Sequence, residues 1–254
     1  MLRMLRGAWL AALILGAGCA AVAPPERARA PRLTPADDVT PNFVVPDTRA
    51  RMVFLARQEW ALFGRPVVRA DATESTLVFA PDLEATHEVQ GPMLTRVLTY
   101  WYAVSDQPIV GYQGELRPWS AAFIAWLVRS AGVPEDEFPS TVLHWHYIEH
   151  ALNSGGGNDA ARFVARDARV YAPKVGDLIC APRGDAFVAE VSDFERLRHG
   201  AYHCDLVVAV RTGELDAIGG NVLDAVSMTR VALDAAGRPV RTAMRPWVVV
   251  LEQR

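Results

Sequence analysis

The chain has 254 residues, 51% hydrophobic and 22% charged, enough for one sizeable core or for one domain with a tether. A net charge of −3 and a pI near 6.1 give no electrostatic case for nucleic acid. There is no internal repeat and no glycine-rich loop of the kind that cradles phosphate.

The N-terminus has the pattern of a processing segment. Arg3 and Arg6 precede an apolar run from Ala8 to Leu15, and Gly16-Ala17-Gly18 leads into Cys19. A basic start, a short apolar stretch and a small-residue exit describe a secretory signal peptide, too short to span a bilayer stably. Residues 1–18 are therefore expected to be removed, which takes away Arg3 and Arg6. The 24 remaining basic residues face 29 acidic ones, a formal charge of −5. Residues 20–48 are rich in Ala, Pro and Arg, bury little, and are expected to form a semi-extended tether.

Helical patterns open the folded part, expected over 49–254. Asp47 or Thr48 can cap a helix carrying Met52, Leu55, Leu62 and Phe63 at helical spacing and ended by Gly64. A second helix is expected over about 93–104, with Met93, Val97, Tyr100, Trp101 and Val104 on one face. A third starts at Pro118 or Trp119 and stops at Gly132, and a fourth begins after Pro139-Ser140 and ends before Gly155. The period then changes. Residues 177–181, 204–210, 214–218, 226–233 and 247–251 are short and rich in Val, Ile or Leu, with turn residues between them. Helices followed by strands predict an α+β fold, with helices packed on an antiparallel sheet.

Cys180 and Cys204 each fall in an expected strand. In an exported protein such a pair is a disulfide candidate; two buried free thiols are the alternative.

Three motifs carry a resemblance. The run Trp119-Ser120-Ala121-Ala122-Phe123-Ile124-Ala125-Trp126, closed by Gly132, resembles the nucleophile helix of the papain-like NlpC and CHAP families of bacterial cell-wall hydrolases, with serine where they carry cysteine. Gly200-Ala201-Tyr202-His203-Cys204-Asp205 resembles their histidine strand, and Val175-Gly176-Asp177 resembles the start of the strand before it. Gly219-Gly220-Asn221 followed by Asp224-Ala225-Val226 resembles the stretch that carries their orienting polar residue. An uncharacterised bacterial family of this superfamily with serine at this place is the nearest resemblance. Cys19 after Ala17-Gly18 likewise resembles a bacterial lipobox, with Gly16 where Leu is usual; ordinary cleavage near Ala20 or Ala23 is the alternative.

The resemblance implies a papain-like domain in which Ser120, His203 and Asn221 form a catalytic triad, Trp119 lines the cleft and Asp177 is structural. Asp205 is a competing orienter, because residues two apart on a strand share a face. It further implies a lipoprotein, lipidated on Cys19 and membrane-anchored, on the periplasmic side of the envelope and at the outer membrane. Its ligand would be peptidoglycan or a peptide, with no cofactor and no metal. Each residue also has a plain reading: Ser120 as an N-cap, His203 as a packed strand histidine, Asn221 as a turn residue. Serine also changes the chemistry. A thiol near pKa ~8.5 ionises beside an imidazolium, whereas a hydroxyl needs an aligned base during attack. A peptidoglycan amidase or peptidase and an inactive domain that binds cell-wall peptides or a protein partner both remain open.

A rival motif is His146-Tyr147-Ile148-Glu149-His150, which fits the inverted zinc-protease pattern. It would put two histidines on one helical face with Glu149 as base. Glu190, Glu195 and Glu214 are nominal third ligands, and His144 extends the cluster.

Overall fold

The protein is described by a computed structural model that covers residues 46–70, 75–79, 87–155, 160–191 and 193–254. The signal segment 1–18, Cys19 and the tether up to residue 45 lie outside the described residues. Among the described residues no helix is long and apolar enough to cross a membrane.

Helix α1 (Thr48–Leu62) starts at Asp47, whose carboxylate accepts from Ala50 N at 2.7 Å, and satisfies one of the amides that a first turn leaves open. Gly64, at φ 78°, ends it. Its buried face is Met52, Ala56 and Glu59, continued by Phe63, whereas Leu62 is 49% exposed. The expected apolar stripe is thus displaced by a buried carboxylate. Glu59 holds that place because Arg96 Nε donates to it at 2.9 Å and Tyr100 also donates to it, and a buried charge survives only when so paired.

Helix α2 (Gly91–Tyr102) buries Val97, Tyr100 and Trp101. Helix α3 (Ser120–Ser130) is buried over most of its circumference and ends at Gly132, φ 88°. Helix α4 (His144–Ser154) buries Trp145, Tyr147, Ile148 and Ala151. A short α5 (Asp185–Glu190) follows later.

Eight strands form one sheet: β1 (Val67–Ala70), β2 (Ser75–Phe79), β3 (Phe163–Asp167), β4 (Leu178–Pro182), β5 (Tyr202–Arg211), β6 (Glu214–Gly219), β7 (Ser227–Ala232) and β8 (Val249–Gln253). Their spatial order is β2-β1-β7-β6-β5-β4-β8-β3. Every pairing is antiparallel except β1 with β7, which is parallel. The fold is α+β as the pattern of elements predicts, with β1, β2 and β3 added to the expected strands.

Helix α3 packs on α1, α2, β5 and β6, and α4 packs on β3 and β5. The main core lies between these helices and the sheet, where Phe123, Ile124 and Leu127 meet Leu206, Val208, Ile218 and Leu251. Each such fully buried side chain contributes about 1.5–3 kcal/mol. A second apolar layer, including Ile179, Val207, Leu215, Ala217 and Val250, is closed by Trp247 and Tyr171. Cys180 and Cys204 are cross-strand partners of β4 and β5 and are joined by a disulfide. Asp177, just before β4, is wholly buried and accepts from Lys174 N at 2.8 Å and Gln253 N at 3.0 Å, which ties the start of β4 to β8.

Candidate active site

Ser120 is the first residue of α3, and the N-cap is Trp119. The serine hydroxyl therefore does not cap its helix. It lies 2.7 Å from His144 Nε2, at the start of α4. The other ring nitrogen of His144 bonds the Tyr147 hydroxyl, three residues on along the same helix face. With Nε2 assigned as the acceptor of the serine proton, Nδ1–H donates to Tyr147 Oη.

A second dyad lies behind the first. His203 Nε2 is 2.8 Å from Asp205 Oδ1, both on β5, and the rings of His203 and His144 are 5.6 Å apart between centroids. The four groups are enclosed: exposure is 2% for Ser120, 5% for His144, 2% for His203 and 0% for Asp205.

Burial and neighbouring charge set the protonation states. His144 is held well below 6.5, first by desolvation, then by the positive charges of a protonated His203, Arg183 and Arg245. His203 is lowered by desolvation, against the upward pull of Asp205. Asp205 stays below the usual carboxylate range because the His203 N–H and Arg245 outweigh its burial. Burial and the Asp205 charge push Tyr147 well above 10, so it keeps its proton. An ionised carboxylate only accepts, so His203 donates Nε2–H to it, and two imidazoles this close oppose both being imidazolium at once.

The glycines of Gly219-Gly220 explain how the dyads fit. A Cβ on Gly219 would lie 1.7 Å from Asp205 Oδ1 and 3.2 Å from His203 Nε2. One on Gly220 would lie 2.6 Å from the Trp119 ring and 2.7 Å from Phe123 Cβ. The end of β6 is thus the floor on which both the β5 dyad and the start of α3 rest. Asn221 follows in the left-handed region at φ 55°, which asparagine tolerates better than most residues. With its amide oxygen toward Trp119 it accepts from Trp119 N and Nε1, each at 3.2 Å. Trp119 Nε1 also donates to Glu88 Oε2 at 2.6 Å.

The residues expected to act together are therefore arranged differently. The hydroxyl partner of Ser120 is His144, and His203 adjoins it through the His144 ring. Of the two candidate orienters of His203, Asp205 makes the bond, while Asn221 holds Trp119 at the entry to α3. Trp119, expected in the cleft, is fully buried and packs against Phe63 and Tyr100.

The cleft itself has a volume of about 540 Å³ and is lined by Ser120 and His144 together with Trp101, Arg117, Arg183 and Tyr202, among others. The first-turn amides of Ser120, Ala121 and Ala122 have no intrahelical acceptor, and the first such bond is Phe123 N to Trp119 O at 3.0 Å. His146 Nδ1 bonds Thr141 Oγ1 at 2.8 Å. The nominal third zinc ligands are engaged by arginines: Glu190 by Arg198, Glu195 by Arg169 and Glu214 by Arg69 and Arg211. Among the described residues no three His, Cys, Asp or Glu side chains gather as a metal site.

His144 and Tyr147 entered the sequence reading only as part of a histidine-rich helix. The local signal was a helix start without a side-chain cap. Leu143 is the N-cap, and Thr141 Oγ1 accepts from Leu143 N at 3.1 Å instead. That leaves the first helical side chain free to serve the cleft.

The family model described as an uncharacterized protein conserved in bacteria (DUF2272) matches residues 96–253. The span contains Ser120, His144, Tyr147, His203, Asp205 and the Gly219-Gly220-Asn221 stretch. No curated protein and no solved structure matches the chain.

Proposed function

We propose, from the premise that the chain belongs to the uncharacterised bacterial family DUF2272, that it is an envelope hydrolase of amide or peptide bonds with Ser120 as nucleophile. The single observation that carries this reading is the 2.7 Å contact from Ser120 Oγ to His144 Nε2, within reach for general-base transfer. In this reading Ser120 Oγ attacks the acyl carbon and His144 takes the hydroxyl proton. The open amides of the first turn of α3 face the oxyanion that forms. The proton then passes to the leaving group, and water releases the acyl group from the serine by the same route.

His144 starts as a free base because its proton affinity is suppressed. As it becomes an imidazolium, the His203–Asp205 dyad adjoins it, the His203 ring lying 5.6 Å away between centroids. The relation to papain-like NlpC/CHAP hydrolases belongs to this proposal. It is supported by a nucleophile-type residue at the start of α3 and a histidine at the start of β5. Peptidoglycan peptides as ligand, lipidation at Cys19 and a periplasmic place at the outer membrane are further parts of it, supported by the N-terminal pattern.

A second reading, the same cleft binding cell-wall peptides or a protein partner without turnover, has one observation in its favour. His144 makes no direct bond to a carboxylate, and two arginines oppose its protonation, a poor match for a base at neutral pH. A serine-directed phosphonate probe on wild type and on Ser120→Ala separates the two. Labelling that vanishes in the variant is the expected result. No labelling, with muropeptide binding retained, selects the second reading.

A further inference from the structure

The cleft beside Ser120 is cationic in a chain whose net charge is −3. Arg117 and Arg183 line it, and among the described residues no Asp or Glu does. Arg117 donates to Gln107 Oε1 at 3.3 Å, a neutral partner that leaves its charge uncompensated among the described residues. Among the described residues, neither Arg117, Arg183 nor Arg245 makes a salt bridge to an acidic side chain. Arg183 and Arg245 are also close enough to repel each other, and this repulsion adds to desolvation in lowering Arg183. Both charges reach His144 and His203.

Arg245 has the buried Asp205 carboxylate near it, whereas Arg117 and Arg183 face the cleft, and guanidinium groups so placed attract an anion. Arg183 is open to solvent at the cleft, and Arg245 is partly covered.

We propose that the cleft takes a ligand bearing a carboxylate, held by Arg183 and Arg117, next to the Ser120 hydroxyl. A planar carboxylate matches the paired N–H groups of a guanidinium better than a point contact does. The inference deepens the hydrolase reading by naming its substrate class, an acyl compound with a free carboxylate near the bond to be cut. The placement of the anion beside a reacting group rests on that reading; the anion site itself does not.

The test pairs a binding arm with a turnover arm, on wild type, Arg183→Gln and Arg117→Gln. Succinate and its neutral diamide are titrated by calorimetry, and p-nitrophenyl hemisuccinate is compared with p-nitrophenyl acetate. The expected result is that succinate binds about tenfold or more tightly than the diamide, a contrast that disappears in either variant and weakens with salt. The hemisuccinate-to-acetate rate ratio is expected to be about tenfold in wild type and to fall toward one in the variants. Equal binding of succinate and diamide by wild type overturns the proposal, as does tighter binding of inorganic phosphate than of succinate. If neither ester is hydrolysed while the succinate contrast holds, the anion site stands and the hydrolase reading falls. If both esters are hydrolysed alike and succinate shows no preference, the reverse holds. Should one variant fail to fold, the wild-type contrast and the other variant decide.

Discussion

The two buried histidines differ in what stands behind them. His203 sits on the sheet, its N–H fixed by the Asp205 carboxylate and its space cleared by Gly219. His144 sits at the start of a helix, bonded to the serine on one side and to a neutral tyrosine on the other. Proximity to the Ser120 hydroxyl and access to a counter-charge are thus divided between two rings. A base that touches the hydroxyl need not be the one that best bears a positive charge. The two dyads meet where these rings are neighbours.

The largest structural effect is expected at the sheet seat. Gly219→Ala puts a methyl group 1.7 Å from Asp205 Oδ1, and neither β6 backbone nor the buried carboxylate has room to yield. A loss of about 3 kcal/mol is expected, read from urea unfolding. A loss under about 0.5 kcal/mol would mean that β6 does not form the floor of the β5 dyad.

A smaller and graded effect concerns both seats. His144 and His203 titrate below 6.5 in the folded chain and near 6.5 when unfolded. Below that pH the unfolded chain takes up protons that the folded one refuses, so stability is greatest above about 6.5 and falls as pH drops. The slope reaches about 1.4 kcal/mol per pH unit for each histidine kept neutral. Thermal melts from pH 8 to 5 should show this, with a shallower fall in His144→Gln. An unchanged slope in that variant would mean that His144 is not held neutral. If the hydrolase reading holds, the acid limb of the labelling rate should likewise lie below pH 6.5, since neutral His144 is the active form.

The smallest effect belongs to the helix entry. Asn221→Gly removes the acceptor for Trp119 N and Nε1 but keeps the left-handed backbone available. About 1 kcal/mol of destabilisation is expected from denaturant unfolding. A shifted His203 titration in the same variant, followed by NMR, would show that the asparagine acts on the imidazole after all.

These contrasts also mark what the sequence could convey. The serine at the start of α3, the histidine of β5 and the double glycine were legible because each is a local pattern on one element. The His203–Asp205 bond was legible as a two-residue strand spacing, though not its precedence over Asn221. The role of His144 was hidden. It depends on α4 docking its first turn against α3, and no local pattern records which helix ends meet. Trp119 was misplaced because an aromatic beside a nucleophile looks the same whether it lines a cleft or fills a core. Strand β3, Phe163-Val164-Ala165-Arg166-Asp167, lacks the run of Val, Ile or Leu by which the other strands were found. Glu59 shows the same limit: a charge on an apolar face becomes readable only once its partners Arg96 and Tyr100 arrive from α2.

The division of labour between the two imidazoles is tested most directly by the rate at which a serine-directed phosphonate labels Ser120 in His144→Gln and in His203→Gln. The geometry predicts a loss of about 100-fold or more for His144→Gln, which removes the contacting base, and about tenfold for His203→Gln. A rate within twofold of wild type for His144→Gln, with labelling abolished in His203→Gln, would contradict the account.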